Sequence, residues 1–517
     1  MQNETISRRD ALKFGAVGAG LAMLGASEAM ASTLFAKDVK FDEEYDVIVI
    51  GSGFAGLAAA AKAAERGYQV LVLEKMGRVG GNSTINGGAF AVPNNELQKK
   101  HGVKDSGEIF IQDCLKAGLG INHVELLETI VKRANDALEF TIKCGAKYQM
   151  DVKPAWFGGH SVPRTITTDN MSGSGIIKPL SEFVEKLPGC KLYKRTKFDE
   201  FVINNEGGVV GVVARVDYRF DGKLLSDDIE NKTGQKKFYK ARKGVILASG
   251  GFGADKVFRK LQDPRIREDA DATNHEGATA GAMLKAFQVG AMPVHIDWIQ
   301  FGPWASPDER GFGVAPLLTQ QGLFKFGMAV DVRTGKRFMN ELADRKTRAD
   351  AEFKILREAP VAYPVAIGTY NAFDEQIKPA IEKGLANGCM KKYETLDQVA
   401  TAYKIPTEEL KKSVAKYNEG IKSGMDEFGK PVKDFNGQGI ESKGPYYCIR
   451  LVPKPHHTMG GLKINEKAQV ISANTLKPIP GLFAAGEVTG GTHGASRLGS
   501  VAVTDCLTFG MIAGESI

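Results

Sequence analysis

The chain lacks the spacings that would let its cysteines build a centre. Cys114, Cys144, Cys190, Cys389, Cys448 and Cys506 form neither a C-x-x-C nor a C-x-x-C-H pattern, which excludes a zinc ribbon and covalent haem attachment and leaves no metal site to expect. It also lacks a strong charge bias. Its 68 basic residues face 61 acidic ones for a formal net charge of +7, the basic residues are scattered, and no nucleic-acid motif is visible, so only a mild preference for acidic partners follows. Long apolar runs are missing too: Phe14 to Leu24 gives about 11 residues where a membrane helix takes about 20. No internal repeat or low-complexity segment is present. With 517 residues, 43% hydrophobic and 25% charged, disorder and small disulfide scaffolds are excluded, and two to four domains are expected. What abounds is glycine. The 60 glycines, about 12% against an average of about 7%, follow no G-X-Y period, so they are expected in turns that approach something.

At the N-terminus, Ser7-Arg8-Arg9-Asp10-Ala11-Leu12-Lys13-Phe14 places an arginine pair before the apolar run, and Ala29-Met30-Ala31 follows as a small-x-small cleavage site. Residues 1–31 resemble a twin-arginine export signal, with a membrane anchor as the alternative. The mature chain is expected to begin near Ser32, to carry no membrane span, and to work in the periplasm.

From Asp46 the sequence reads as strand, glycine turn, helix and strand: Asp46-Val47-Ile48-Val49-Ile50, Gly51-Ser52-Gly53-Phe54-Ala55-Gly56, an alanine-rich helix to Gly67, then Val70-Leu71-Val72-Leu73-Glu74-Lys75. A GxGxxG in this context is a dinucleotide fingerprint. Gly51 permits the turn, Gly53 lets backbone approach a pyrophosphate at the helix N-terminus, Gly56 allows close helix packing, and Glu74 accepts ribose hydroxyls. A second cluster, Gly80-Gly81-Asn82-Ser83 with Gly87-Gly88, brings more backbone to the same ligand and favours FAD over NAD. Further on, 106–145 reads as helical and 190–245 as strands and hairpins. The basic run Lys236 to Lys243 reads as a solvated hairpin, or alternatively as a docking patch for an acidic electron donor; Ser249-Gly250-Gly251-Phe252-Gly253 reads as a turn beside the flavin. Between 295 and 457 glycine turns thin out and a charged helical stretch, Glu394 to Lys422, appears. Glycine turns then return at His457 to Gly461, Gly486 to Gly491 and Gly494 to Gly499. The expected fold is α/β, a Rossmann-like FAD-binding domain (42–294 and 458–517) with an inserted α+β capping domain (295–457).

With these motifs in hand, the chain resembles the fumarate reductase and succinate dehydrogenase flavoprotein family, in its soluble periplasmic flavocytochrome c branch. The carriers are Gly51 to Gly56, Gly80 to Ser83, Gly335-Lys336-Arg337-Phe338-Met339-Asn340-Glu341, His456-His457-Thr458-Met459-Gly460-Gly461, Ala485 to Gly491, and His493 to Gly499. The resemblance implies an active site at the junction of the two domains, with Glu487 and Val501 added to the cofactor contacts. Covalent-flavin members carry a histidine near Asn82-Ser83; none stands here, so non-covalent FAD is expected.

The resemblance also implies a chemistry. A 2-enoate is reduced when flavin N5 delivers hydride to the β-carbon and an acid protonates the α-carbon. Arg497 and His457 match the family's carboxylate-binding positions, and Arg345 matches its arginine proton donor, with Arg348 the second candidate. Relatives that reduce fumarate hold its second carboxylate with a histidine where this chain has Gly302, beside Phe301 and Trp304. A second carboxylate without partners would cost several kcal/mol, so a monocarboxylate such as acrylate, methacrylate or an aryl acrylate is expected in apolar room over Gly302. The family's proton-relaying glutamate and arginine are absent from Thr319-Gln320-Gln321-Gly322-Leu323-Phe324-Lys325, leaving Gln320 and Lys325 to stand in. Ala280-Gly281-Ala282 replaces a usual Gly-Asp-Gly. Electrons are expected from a separate multihaem c-type cytochrome. The alternatives are a fumarate reductase with a rebuilt pocket and a flavin electron carrier without enoate chemistry.

Overall fold

The computed structural model describes residues 34–157, 159–267, 270–375, 377–435 and 437–517; the expected export signal lies outside them. The chain runs through β1 (Glu43–Ile50), α1 (Phe54–Glu65), β2 (Val70–Leu73), β3 (Cys190–Tyr193), β4 (Thr196–Ile203), β5 (Val209–Val216) and β6 (Gln235–Leu247). It then passes through β7 (Ile299–Gly302) into β8 (Met328–Val330), α2 (Arg345–Glu358), β9 (Val365–Thr369), β10 (Met390–Tyr393) and β11 (Tyr446–Arg450). It returns through β12 (Lys454–Thr458) to β13 (Pro478–Ala484) and α3 (Val501–Ser516).

Strands β13, β6, β1, β2 and β3 lie side by side, all parallel. Val47 to Ile50, Val70 to Leu73 and Val245 to Leu247 are buried, as parallel strands covered on both faces must be. The alanine-rich α1 has small side chains on nearly every face and is buried almost throughout, so it packs as an inner helix against α3. That contact explains why the sixteen residues of α3 complete a domain begun at residue 43. The N-terminal half of β6 pairs antiparallel with β5, and β5 with β4. The basic run lies on β6, where Lys237, Lys240 and Arg242 meet Glu43, Glu44 and Asp46 of β1. Its charge is locally matched, which favours the solvated hairpin over a docking patch.

The second unit has its own apolar cluster, including Leu318, Phe324, Met328, Ile367, Tyr417 and Ile449, beneath an antiparallel sheet ordered β8, β9, β11, β10. The charged stretch forms two helices, Leu396–Tyr403 and Thr407–Ser423, interrupted by left-handed Lys404 and by Pro406. The two passages between units, β7 and β12, pair with each other antiparallel, Gln300 opposite His457. This ladder puts the catalytic candidates of both units at one seam.

Candidate active site

A groove runs along the C-terminal ends of the parallel strands, past Ile50, Leu73 and Ala248. Its wall includes Gly51, Gly53, Phe54, Ala55, Glu74, Lys75, Gly80, Gly81, Asn82, Ser83, Gly250 and Glu487, twelve of the expected cofactor residues. The turn needs its glycines: Gly51 has φ +101°, and a Cβ there would meet the Ala248 carbonyl oxygen at 2.4 Å. A Cβ on Gly56 would meet the Gly51 oxygen at 1.9 Å, so Gly56 serves packing and lies outside the wall. Gly87, Gly88, Gly251 and Val501 also lie outside it. The N-cap of α1, Gly53, brings no side chain; Phe54 N donates to Ser83 Oγ at 3.0 Å, and the amides of Ala55 and Gly56 remain for a phosphate. Glu74 accepts from Ser52 N (3.2 Å) and Met76 N (2.7 Å). These features fit FAD.

At the Gly-Asp-Gly replacement, a carboxylate comes from elsewhere. Asp228 Oδ2 accepts from Gly281 N at 3.0 Å, and a Cβ on Gly281 would run into that carboxylate. Asp228 also meets Lys75 and Lys197. The sequence reading missed it because 53 residues separate the partners.

At the seam, Arg345 opens α2, where the helix dipole is positive. Its Nη1 donates to Gln300 Oε1 at 2.9 Å, and its guanidinium lies 5.9 Å from the Trp304 ring centre. The residue keeps some accessible surface while the guanidinium is enclosed. Burial, then the charges of Arg497 and Arg348, push that guanidinium well below its ordinary pKa. Gln300 reaches the other unit as well, donating to Ser496 Oγ (3.0 Å) and Arg497 O (2.8 Å). It ties Arg345 to the loop that carries Arg497, a bridge that the separation of these residues in sequence conceals.

Arg497 is buried, donates from Nη1 only to Leu498 O at 3.2 Å, and has an unpartnered Nε. Burial lowers its pKa to about 10. His457 stands with Nδ1 3.4 Å from Glu487 Oε1 and with Nε2 unpartnered. Burial, and then the charge of the neighbouring Arg497, push its pKa well below 6.5 and favour the neutral ring. Buried donors without partners are costly. Here they stand in a cluster of arginines, and with His457 in its Nε2–H tautomer a carboxylate ligand satisfies both.

Three expectations need correction. The space over Gly302 is filled: a Cβ there would lie 2.7 Å from the Trp304 indole. Trp304, packed against His456 and Phe312, is itself the wall, because only glycine at 302 lets the ring close down. Gln320 meets Arg348 and no contact joins it to Arg345: its Oε1 accepts from Arg348 Nη1 at 2.9 Å. Lys325 is no stand-in for a buried relay, since it pairs with Asp374 at the surface.

Behind the clamp loop, His160 Nε2 donates to Gly499 O at 2.8 Å while Nδ1 accepts from Arg164 Nη1 at 3.1 Å. Arg164 in turn pairs with Asp105 and Asp113. Two fixed partners demand neutral imidazole, and burial takes its pKa down to about 4. Its folded value lies below the unfolded one, so the unfolded state binds more protons and stability falls as pH drops below about 6.5. Between pH 6.5 and 5 the loss through this group is about 2 kcal/mol. Thermal melts of wild type and His160→Gln across that range should show the variant losing less stability.

The fold and groove define an FAD-dependent oxidoreductase. The FAD binding domain family matches residues 46–503, and the chain belongs to that family. It is 43% identical over 517 residues to the acrylate reductase flavoprotein subunit of Shewanella woodyi, covering 99% of this chain and 98% of that protein. It is 35% identical to the urocanate reductase of Eggerthella lenta, covering 92% of this chain and 74% of that protein. A solved structure, the open conformation of a flavocytochrome c3 fumarate reductase, superposes with a TM-score of 0.75 at 30% identity, covering 96% of this chain and 80% of that one. Among the described residues no helix is long and apolar enough to cross a membrane.

Proposed function

We propose that the protein reduces the carbon–carbon double bond of a small α,β-unsaturated monocarboxylate of the acrylate type. FAD, when bound, supplies the hydride for the β-carbon. Arg497 and His457 hold the carboxylate, Arg497 as a charge-assisted fork and His457 through its free ring nitrogen. Reduction builds negative charge at the α-carbon and toward the carboxylate. The clamp stabilises that charge in an enclosed site, and Arg345 protonates the α-carbon. An arginine acts as an acid only where its cation is destabilised, and the neighbouring Arg348 and Arg497, together with burial, do this.

The observation that carries the reading is the pair of unpartnered donors, Arg497 Nε and His457 Nε2, at the seam that also holds Arg345. Trp304 argues for one carboxylate, because its ring takes the place over Gly302. Trp304→Ala should raise kcat/KM for aryl acrylates relative to acrylate by about tenfold or more, the scale on which apolar pocket volume discriminates. The electron donor is read as a separate multihaem c-type cytochrome in the periplasm. The cysteine spacing leaves no covalent haem attachment in this chain, and a similar solved protein is a flavocytochrome c3, of which this chain covers 80%. Binding of FAD without a covalent link follows from the absence of histidine between Gly80 and Gly88.

Steady-state rates with reduced methyl viologen, over acrylate, methacrylate, cinnamate, urocanate and fumarate, test the substrate class. A monocarboxylate should exceed fumarate in kcat/KM by at least about 100-fold, the worth of a buried charge left unpaired. A preference for fumarate contradicts the reading, and turnover with NADH but with neither viologen nor a multihaem cytochrome contradicts the donor.

A further inference from the structure

Arg345 loses a proton in each turnover and must regain it inside a closed site. Its hydrogen-bond partner Gln300 cannot ionise, and Arg497 is committed to the carboxylate. The segment from 319 to 325 offers nothing acidic: Gln320 is an amide and Lys325 lies at the surface. Among the described residues, one buried carboxyl on α2 has neither oxygen engaged. Glu352 is 0% exposed, and neither of its side-chain oxygens has a hydrogen-bond partner. A buried, unpartnered carboxylate costs several kcal/mol, so the group does nothing for stability as it stands.

Its position gives it a use. Glu352 sits on α2 four residues beyond Arg348, which sits three residues beyond Arg345. Such spacings put all three on one helix face, separated along the axis by about 6 and about 4.5 Å. Arg348 is buried, held by Gln320 Oε1 and by the Glu341 carbonyl at 3.1 Å, with its Nε unpartnered. We propose that Arg345 is reprotonated along this face of α2, from Glu352 through Arg348, with Gln320 positioning Arg348. The proposal rests on the function proposed above.

The step balances in protons alone. Arg345 gives H+ to the α-carbon and becomes a neutral guanidine, Arg348 passes it a proton, and the Glu352 carboxylic acid restores Arg348. Water then reprotonates the Glu352 carboxylate, so one proton enters from solvent and no electron moves. Burial pushes the Glu352 carboxyl well above its ordinary range, opposed only in part by the charge of Arg348. That shift favours the protonated acid, the form that can donate.

The test uses Glu352→Gln and the double variant Glu352→Gln/Gln320→Glu in the FAD-loaded enzyme, with reduced viologen and acrylate. Glu352→Gln should lower kcat about 100-fold, within the range for general acid–base groups, while KM and FAD content stay within about twofold of wild type. The solvent deuterium isotope effect on kcat should rise as proton delivery becomes limiting. Adding Gln320→Glu should restore kcat at least about tenfold, because residue 320 already touches Arg348 at 2.9 Å and the new carboxyl enters proton transfer at the cited scale. A structural role for Glu352 predicts no such rescue. A Glu352→Gln enzyme with kcat within twofold of wild type overturns the proposal, as does failure of the rescue. A wild-type enzyme that turns over no enoate overturns the proposed function and this relay together.

Discussion

Arg345→Ala is expected to lower kcat by about 10³- to 10⁴-fold, near the upper range for loss of a positioned acid, with FAD retained. Retention follows because Arg345 takes no part in the cofactor groove. Its contacts are Gln300 and the face of Trp304, both on the substrate side of the seam. Enoate binding should change little, since the carboxylate is held by Arg497 and His457. The loss should therefore fall on kcat, which marks an interaction made in the transition state. Arg345→Lys should recover part of the activity, because an ammonium crowded by Arg497 and Arg348 is also an acid, though without the planar geometry that Gln300 holds. Steady-state kinetics and the flavin absorbance of the purified variants check both points. Near-normal turnover in Arg345→Ala would remove the acid from this position.

Arg497→Ala is expected to damage binding as well as rate. Charge-assisted hydrogen bonds contribute about 1.5–3 kcal/mol each, so losing a two-pronged clamp should lower kcat/KM by about 10³-fold or more. KM should rise and kcat fall, because the clamp holds the ground state and takes up the charge that develops toward the carboxylate. The substitution also removes a cation from beside Arg345. Arg345 would then be a weaker acid, since the Arg497 charge is the second cause of its lowered pKa after burial. Arg497→Lys keeps the charge and loses the fork, and it should fall between wild type and alanine. Titration with propionate, which has the carboxylate without the double bond, separates the binding part of the loss.

Much of the cofactor groove was legible in the sequence because its physics is local. A glycine turn between a buried strand and an uncapped helix has to be contiguous, so Gly51 to Gly56 and Glu74 read directly. The inserted unit was legible as a change of composition, because a sheet under its own apolar cluster needs fewer turns against a cofactor. On the substrate side the family resemblance pointed to Arg345, His457 and Arg497, which the structure brings to one seam. What escaped were pairings between distant residues. Gln300 joins Arg345 to the Arg497 loop across 45 and 197 residues. Asp228 supplies the carboxylate that Gly281 lacks, and His160 steadies Gly499 from 339 residues away. Gly302 was read as room, yet the shape of the site depends on where the Trp304 ring falls, which no spacing reveals. Lys325 has the charge a relay could use, yet it pairs with Asp374 at the surface, and no spacing reveals that.

The central claim is that Arg345, His457 and Arg497 form an enoate-reducing site beside FAD. The most direct measurement is anaerobic: reduce the bound flavin with dithionite, add acrylate, and follow the flavin absorbance while analysing the product. The account predicts rapid reoxidation with one propionate formed per flavin, slowed by about 10³-fold or more in Arg345→Ala. A flavin that stays reduced in wild type with acrylate, methacrylate and aryl acrylates alike would contradict it.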